Sequence, residues 1–211
     1  MEEKDTVVKK KGILSKTKGV LNLPNMLTIL RVLLVPVFVI SMLYIESPLV
    51  CGLTAIVVFI ITSATDFFDG SIARKYNLIT TFGKFLDPVA DKFMVFSAFL
   101  AMAARIEPMR GMLVWTAAII FFRELGVTSL RMICVNTDGG VISASLFGKW
   151  KTVTQIVAVC VVLFEYALIE GRVFDSMWIA SYILLAGTIF MTVASGIDYL
   201  KSYWPYIDTN K

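Results

Sequence analysis

The chain has 211 residues, 57% of them hydrophobic and 17% charged, with a net charge of +4. That composition fits a single integral-membrane domain and gives no expectation of a nucleic-acid partner. There is no His, which excludes imidazole general bases, Ser-His-Asp triads and His-ligated zinc and leaves proton transfer to carboxylates, Lys or Tyr.

Residues 1–21 form a basic juxtamembrane segment. Lys4, Lys9, Lys10, Lys11, Lys16 and Lys18 are interleaved there with Val7, Val8, Ile13 and Leu14. It reads either as a short helix lying on an anionic membrane surface or as a solvated basic tail, and not as a cleaved leader. A first span follows over Asn22–Tyr44, with Pro24 breaking the chain at its entry and Pro36 a tolerated kink. Arg31 lies about one and a half turns inside the apolar run that begins at Met26, where it either snorkels or faces a polar cavity. The second span, Leu49–Thr65, delivers Asp66 at its end. The third runs from Phe85 to Ala104 with Asp87 and Asp91 in its first two turns. Pro88 there marks either a helix start capped by Asp87 or a kink within the helix. Arg123, Glu124 and Arg131 occupy the second half of the fourth span, Gly111–Val135. Lys149 precedes the fifth, Trp150–Ile169, and Lys151 opens it. A sixth span, Ser176–Ile197, ends at Asp198, and residues 201–211 are a polar tail. Cys51, Cys134 and Cys160, far apart in apolar runs, read as small apolar residues.

The expected fold is therefore all-α, six transmembrane helices over residues 22–200. Placing both termini in the cytoplasm leaves only Arg105, Arg110 and Arg172 outside, of 20 Lys plus Arg, which the positive-inside rule favours. The same topology brings Asp66, Asp69, Asp87, Asp91, Arg123, Arg131, Lys149 and Lys151 to one depth, in a cytoplasm-facing polar cavity.

The most informative stretch is DFFDGSIARKYNLITTFGKFLDPVAD, from Asp66 to Asp91. Asp66 and Asp69 stand at i,i+3 and Asp87 and Asp91 at i,i+4, so each pair shares a helical face. One ionisable group at membrane depth costs about 2.5–3.5 kcal/mol, so four together call for compensation. One or two divalent cations would supply it, with carboxylate oxygens as hard ligands. Gly70 and Ala73 let a ligand approach the helix closely, and Arg74 lies where a guanidinium can hold phosphate oxygens. The rival reading, carboxylates capping helices at the water interface, accounts for one or two of the four.

Written as a pattern, the stretch is D-x2-D-G-x2-A-R-x8-G-x3-D-x3-D, eight fixed positions across 26 residues, ending Gly83, Asp87, Asp91. It resembles the signature of the CDP-alcohol phosphotransferases at every fixed position. The resemblance implies a CDP-alcohol or CDP-diacylglycerol substrate, release of CMP, and two divalent cations (Mg2+ or Mn2+). Asp66, Asp69 and Asp87 would be the principal metal ligands, and Asp91 a further ligand or the general base. Gly70, Ala73, Arg74 and Gly83, beside Asp66 and Asp69, would shape the nucleotide site. NLPNMLTILR at Asn22–Arg31, FRELGVTSLR at Phe122–Arg131 and GKWKT at Gly148–Thr152 extend the resemblance to the branch whose acceptor is sn-glycerol 3-phosphate. Arg123, Arg131, Lys149 and Lys151 fit a phosphate-bearing acceptor, with Arg31 the next candidate. Each has a plainer reading: an ion pair with Glu124 for Arg123, snorkelling for Arg131, topology signal for the lysines.

The resemblance also suggests a homodimer among membrane lipids of the cell membrane, with Gly126 and Gly187 available for close helix packing. Other acceptors (phosphatidylglycerol, inositol phosphate, serine) remain open within the family. Outside it, a divalent-cation transporter or a non-catalytic membrane scaffold is the competing class.

Overall fold

The computed structural model describes residues 23–75, 80–135, 146–170 and 178–204. The side chains of residues 23–24, 66–75, 81–82, 84, 132–135, 146–147 and 149 lie outside the described set. The described residues form six α-helices: α1 Leu23–Tyr44, α2 Pro48–Lys75, α3 Thr81–Arg105, α4 Arg110–Val135, α5 Leu146–Ile169 and α6 Ile179–Tyr203. A 3-10 turn, Glu107–Met109, precedes α4. Long apolar segments fold this way in lipid because a helix satisfies its own backbone polar groups.

Five of the helices, all but α3, are long and apolar enough to cross a membrane. The exception has a chemical cause: Lys84, Asp87, Asp91 and Lys92 all fall in its first half. The boundaries refine the sequence reading in several places. Pro24 does not hold the helix off, because it sits in the first turn of α1, where a missing N–H costs nothing. The aspartates after Thr65 continue α2 rather than follow it. Asp198 lies inside α6, not at its end. Helix α3 begins at Thr81, with the Thr80 hydroxyl accepting from the Gly83 N–H at 3.0 Å. Thr80 is therefore the cap, and Pro88 is an interior residue of α3.

The helices close into a ring in the order α1–α2–α5–α6–α4–α3 and back to α1. Consecutive helices α2 and α3 are thus kept apart by α1, which packs on both. The core is buried inside the ring, from Val35, Phe38 and Met42 of α1 through Phe59, Phe99, Met102 and Leu113 to Leu163 and Leu185. Outward-facing positions are apolar too: Trp115, Phe122, Ile183 and Phe190 are each more than half exposed, as a lipid-facing surface requires. Gly52 lets α2 approach α5, since a Cβ there would stand 2.7 Å from the Ala167 Cβ. Gly126 and Gly187 have open space instead, with no atom of another described helix within 4 Å of a Cβ placed there.

Several polar groups in the interior are matched locally. The buried stripe of α6 is Ser181, Leu185, Thr188, Thr192, Ser195, Tyr199 and Tyr203, in steps of three or four. The hydroxyls of Thr192 and Ser195 bond back to Thr188 and Thr192 carbonyls at 2.7 and 3.0 Å. The start of α6 is capped from α5, the Ser181 N–H donating to Glu165 Oε2 at 3.1 Å. At the same end Arg105 ties three elements. Its Nε donates to the Tyr166 hydroxyl at 2.7 Å, and its Nη2 to the Ile45 and Glu46 carbonyls at 3.0 Å each.

Candidate active site

The opposite end of the ring carries the aspartates of the acidic motif, with Arg123, Glu124 and Lys151. Asp66, Asp69, Gly70, Ala73 and Arg74 lie on the last turns of α2, with Asp66, Asp69 and Ala73 on one face by helix periodicity. Their side chains belong to those outside the described set.

On α3 the site can be followed atom by atom. Asp87 is half-buried and accepts a hydrogen bond from the Thr28 hydroxyl of α1 at 2.7 Å. Asp91 stands one turn further along, also half-buried. Gly83 is buried one turn before Asp87, and a Cβ there would meet Asn25 Oδ1 at 2.7 Å. That same Asn25 oxygen accepts from the Thr80 hydroxyl at 3.0 Å. Asn25, Thr28 and Arg31, spaced by three on α1, are all buried, Arg31 with 0% exposure. Arg31 therefore faces the interior and does not snorkel.

Beyond Asp91 the site continues into the cation cluster. A cavity of about 40 Å3 lies between α3, α4 and α5, lined by Asp91 and Lys92, Glu124, and Lys151, Thr152 and Gln155. Glu124 accepts from Arg123 Nη1 at 2.8 Å and from Lys151 Nζ, so one carboxylate joins α4 to α5. Asp91 also acts electrostatically on Lys151. Next to Arg123 the Tyr199 ring of α6 is approached by two guanidiniums, its centre 5.2 Å from Arg123 Cζ and 6.0 Å from Arg131 Cζ. The Tyr199 hydroxyl accepts from Arg131 Nη2 at 3.5 Å. Arg131 itself is exposed, whereas Arg123 and Lys151 are about nine-tenths buried. The structure thus brings together Asp91, Lys151, Arg123 and Arg131, linked through Glu124 and Tyr199. The Lys149 side chain lies outside the described residues.

A larger hollow, about 790 Å3, lies elsewhere: an apolar groove between α4 and α6 walled by Trp115, Phe122, Val193 and Ile197. Arg123 is its one charged lining residue among those described, and the groove lacks the carboxylates that the chemistry needs.

Sequence reasoning missed Asn25, Thr28, Gln155 and Tyr199, and it treated Glu124 only as the partner of Arg123. A signal existed for the α1 residues. Three polar side chains at intervals of three in an apolar helix mark one inward face. Nothing in the sequence points to Tyr199, because aromatic residues are common in membrane helices.

As to a metal centre, no three His, Cys, Asp or Glu side chains gather among the described residues. Asp87 and Asp91, one turn apart, nevertheless offer the hard oxygen donors that divalent cations prefer, so the described half of the acidic motif fits such an ion in donor chemistry.

Apolar helices of span length, with carboxylates, guanidiniums and an ammonium gathered at one end of a ring, define a helical protein of membrane type with a charged site at one face. Comparison with known proteins narrows this. The family model described as CDP-alcohol phosphatidyltransferase matches residues 21–194, and the chain belongs to that family. The chain is 37% identical over 204 residues to the CDP-diacylglycerol–glycerol-3-phosphate 3-phosphatidyltransferase of Bacillus subtilis (strain 168). That match covers 90% of this chain and 98% of the relative. Proteins of the same name are 39% identical in Haemophilus influenzae, covering 85% and 92% of the two chains, and 35% identical in Rickettsia bellii, covering 88% and 97%.

Proposed function

We propose that this chain transfers the phosphatidyl group of CDP-diacylglycerol to sn-glycerol 3-phosphate, giving phosphatidylglycerophosphate and CMP. The observation that carries the reading is the intact acidic signature, whose last aspartate lines a cavity shared with Glu124 and Lys151. The names of the relatives support the choice of acceptor, since they match nearly the full length of the chain.

In this mechanism a hydroxyl oxygen of the acceptor attacks the phosphorus that bears the diacylglycerol. The bond from that phosphorus to the CMP oxygen breaks, CMP leaves with the electron pair, and Asp91 takes the hydroxyl proton. Asp66, Asp69, Asp87 and Asp91 would hold two divalent cations, Mg2+ or Mn2+, which when bound polarise the phosphoryl group and offset leaving-group charge. Asp66, Asp69, Gly70, Ala73, Arg74 and Gly83 form the nucleotide subsite. Arg123, Arg131, Lys149 and Lys151 receive the acceptor's phosphate, with Glu124 holding Arg123 and Lys151 in place. Arg31 is the reserve candidate.

Helix α3, 25 residues long, completes six spans, its charged first half lining the site near the membrane surface. The distribution of Lys and Arg supports cytoplasmic termini and a cytoplasm-facing site in the cell membrane. A homodimer accords with the open surface beside Gly126 and Gly187.

The deciding experiment uses purified protein, CDP-diacylglycerol and a panel of acceptors, following CMP release and identifying the lipid product. Phosphatidylglycerophosphate is expected with glycerol 3-phosphate. A product formed only with phosphatidylglycerol, inositol phosphate or serine overturns the acceptor assignment. EDTA is expected to abolish turnover and Mg2+ or Mn2+ to restore it. Asp66→Ala, Asp69→Ala and Asp87→Ala should each lower turnover at least ~10²-fold, the scale of a lost catalytic group. Undiminished turnover in EDTA removes the metal from the mechanism. Without acceptor, labelled CMP should not exchange into CDP-diacylglycerol, because transfer is direct; rapid exchange points to a covalent enzyme intermediate.

A further inference from the structure

We propose that Gln155 determines acceptor specificity by hydrogen-bonding the hydroxyl of the acceptor that does not react. This deepens, and rests on, the reading of glycerol 3-phosphate as acceptor. Gln155 is 3% exposed on α5, and its side-chain Nε2 has no hydrogen-bond partner among the described residues. It lies one turn beyond Lys151 and shares the 40 Å3 cavity with Asp91, Glu124 and Lys151. A buried amide donor left unmatched is costly and rare in folded proteins, and water or a ligand ordinarily meets it.

The size of the cavity says which ligand group. About 40 Å3 admits roughly two or three groups of the size of a water molecule, room for hydroxyls on neighbouring carbons. Gln155 stands one turn further along α5 than Lys151, so a phosphate held by Lys151, Arg123 and Arg131 leaves the carbinol end of the acceptor to point towards Gln155. Asp91 on the α3 wall receives the reacting hydroxyl. The neighbouring hydroxyl on the next carbon falls to the α5 wall, where Gln155 offers the unmatched N–H. An acceptor without that second hydroxyl leaves the amide unsatisfied, which is how a polar site rejects a deoxy analogue.

The test compares sn-glycerol 3-phosphate with 3-hydroxypropyl phosphate, which lacks only the secondary hydroxyl, on full-length wild type, Gln155→Met and Gln155→Asn. Wild type should prefer glycerol 3-phosphate by ~10–100-fold in kcat/KM, the scale of one matched buried hydrogen bond. Gln155→Met should erase that preference through its loss on glycerol 3-phosphate alone, with the KM for CDP-diacylglycerol unmoved. Its melting temperature should not fall, because an unmatched buried amide has been replaced by an apolar side chain of similar volume. Gln155→Asn, one methylene shorter, keeps the polarity but withdraws the amide, and should lose most of the preference as well. Should either variant keep the wild-type preference, or lose both acceptors in equal proportion, Gln155 does not read the hydroxyl. A wild type that releases no CMP with glycerol 3-phosphate overturns the functional reading itself, and the inference with it.

Discussion

Thr28 holds Asp87 at 2.7 Å from a helix 59 positions upstream. A hydroxyl bonded to a half-buried carboxylate fixes its rotamer and so orients the oxygens that a cation would bind. Hydrogen bonds to charged groups contribute about 1.5–3 kcal/mol, so Thr28→Val should lower turnover by roughly ten-fold or more. It should also raise the Mg2+ concentration needed for half-activation, while Thr28→Ser restores both. A metal titration of the three proteins checks this, and an unchanged Mg2+ midpoint in Thr28→Val counts against it. Glu124 makes a different case. It is the shared acceptor of Arg123 and Lys151, and removing one partner from a buried ion pair costs about 3–5 kcal/mol. Glu124→Gln should therefore lower thermal stability more than Arg123→Ala, which leaves Lys151 with its counter-charge; thermal unfolding in detergent ranks the two. At this scale the sequence was legible where chemistry is dense and opaque where it is dilute. Four aspartates in one stretch announce a site, whereas a single Thr in an apolar run does not.

The junction of α1 with α3 rests on one absent side chain. A Cβ on Gly83 would stand 2.7 Å from Asn25 Oδ1 and 3.2 Å from Thr80 Oγ1, so two helices and the cap of one of them meet where only hydrogen fits. Gly83→Ala should cost about 1–3 kcal/mol as an overpacked contact, and it should displace the turn that carries Asp87. Asn25→Ala removes the obstructing oxygen and should restore part of the stability of Gly83→Ala; a Tm series over the two single variants and the double decides it. Glycine at this position serves α1 as well as the nucleotide subsite assigned to it from the family pattern. Helix locations were legible from hydropathy, since length and apolarity are local properties. The ends were less so. Asp66 and Asp198 look like stops because they are charged, yet each helix continues past its aspartate. The start of α3 turned on Thr80, an ordinary capping residue that Pro88 overshadowed.

Which helix neighbours which was not legible at all, because the ring order depends on side-chain fit between segments far apart in the chain. Its result is functional: α1 sits between the two helices that carry the acidic motif, and α4, α5 and α6 supply the cations and Tyr199. The far end of the molecule is organised separately, by Arg105 on Tyr166 and on the carbonyls of Ile45 and Glu46. Arg105→Ala should lower the melting temperature and leave kcat and both KM values of the folded fraction unchanged, as determined by activity normalised to folded protein. A large loss in kcat would mean that the two ends are coupled.

The place of α1 also has a consequence for how the protein is made. It is the first of the described helices to leave the ribosome, and its inward face carries Asn25, Thr28 and Arg31. Thr80 and Asp87, which meet that face, are synthesised 55 and 59 residues later than the groups they bond. An arginine near the middle of a lone helix costs about 2.5–3.5 kcal/mol on insertion scales, enough to keep a nascent α1 hovering between translocon and lipid. Stable integration should therefore wait for α3. Nascent chains arrested before Thr80 should show incomplete protection of α1, chains extended past Arg105 full protection, and Arg31→Leu should make the short chains integrate as completely as the long ones. The residues that build the catalytic end would then also time the commitment of the chain to the bilayer.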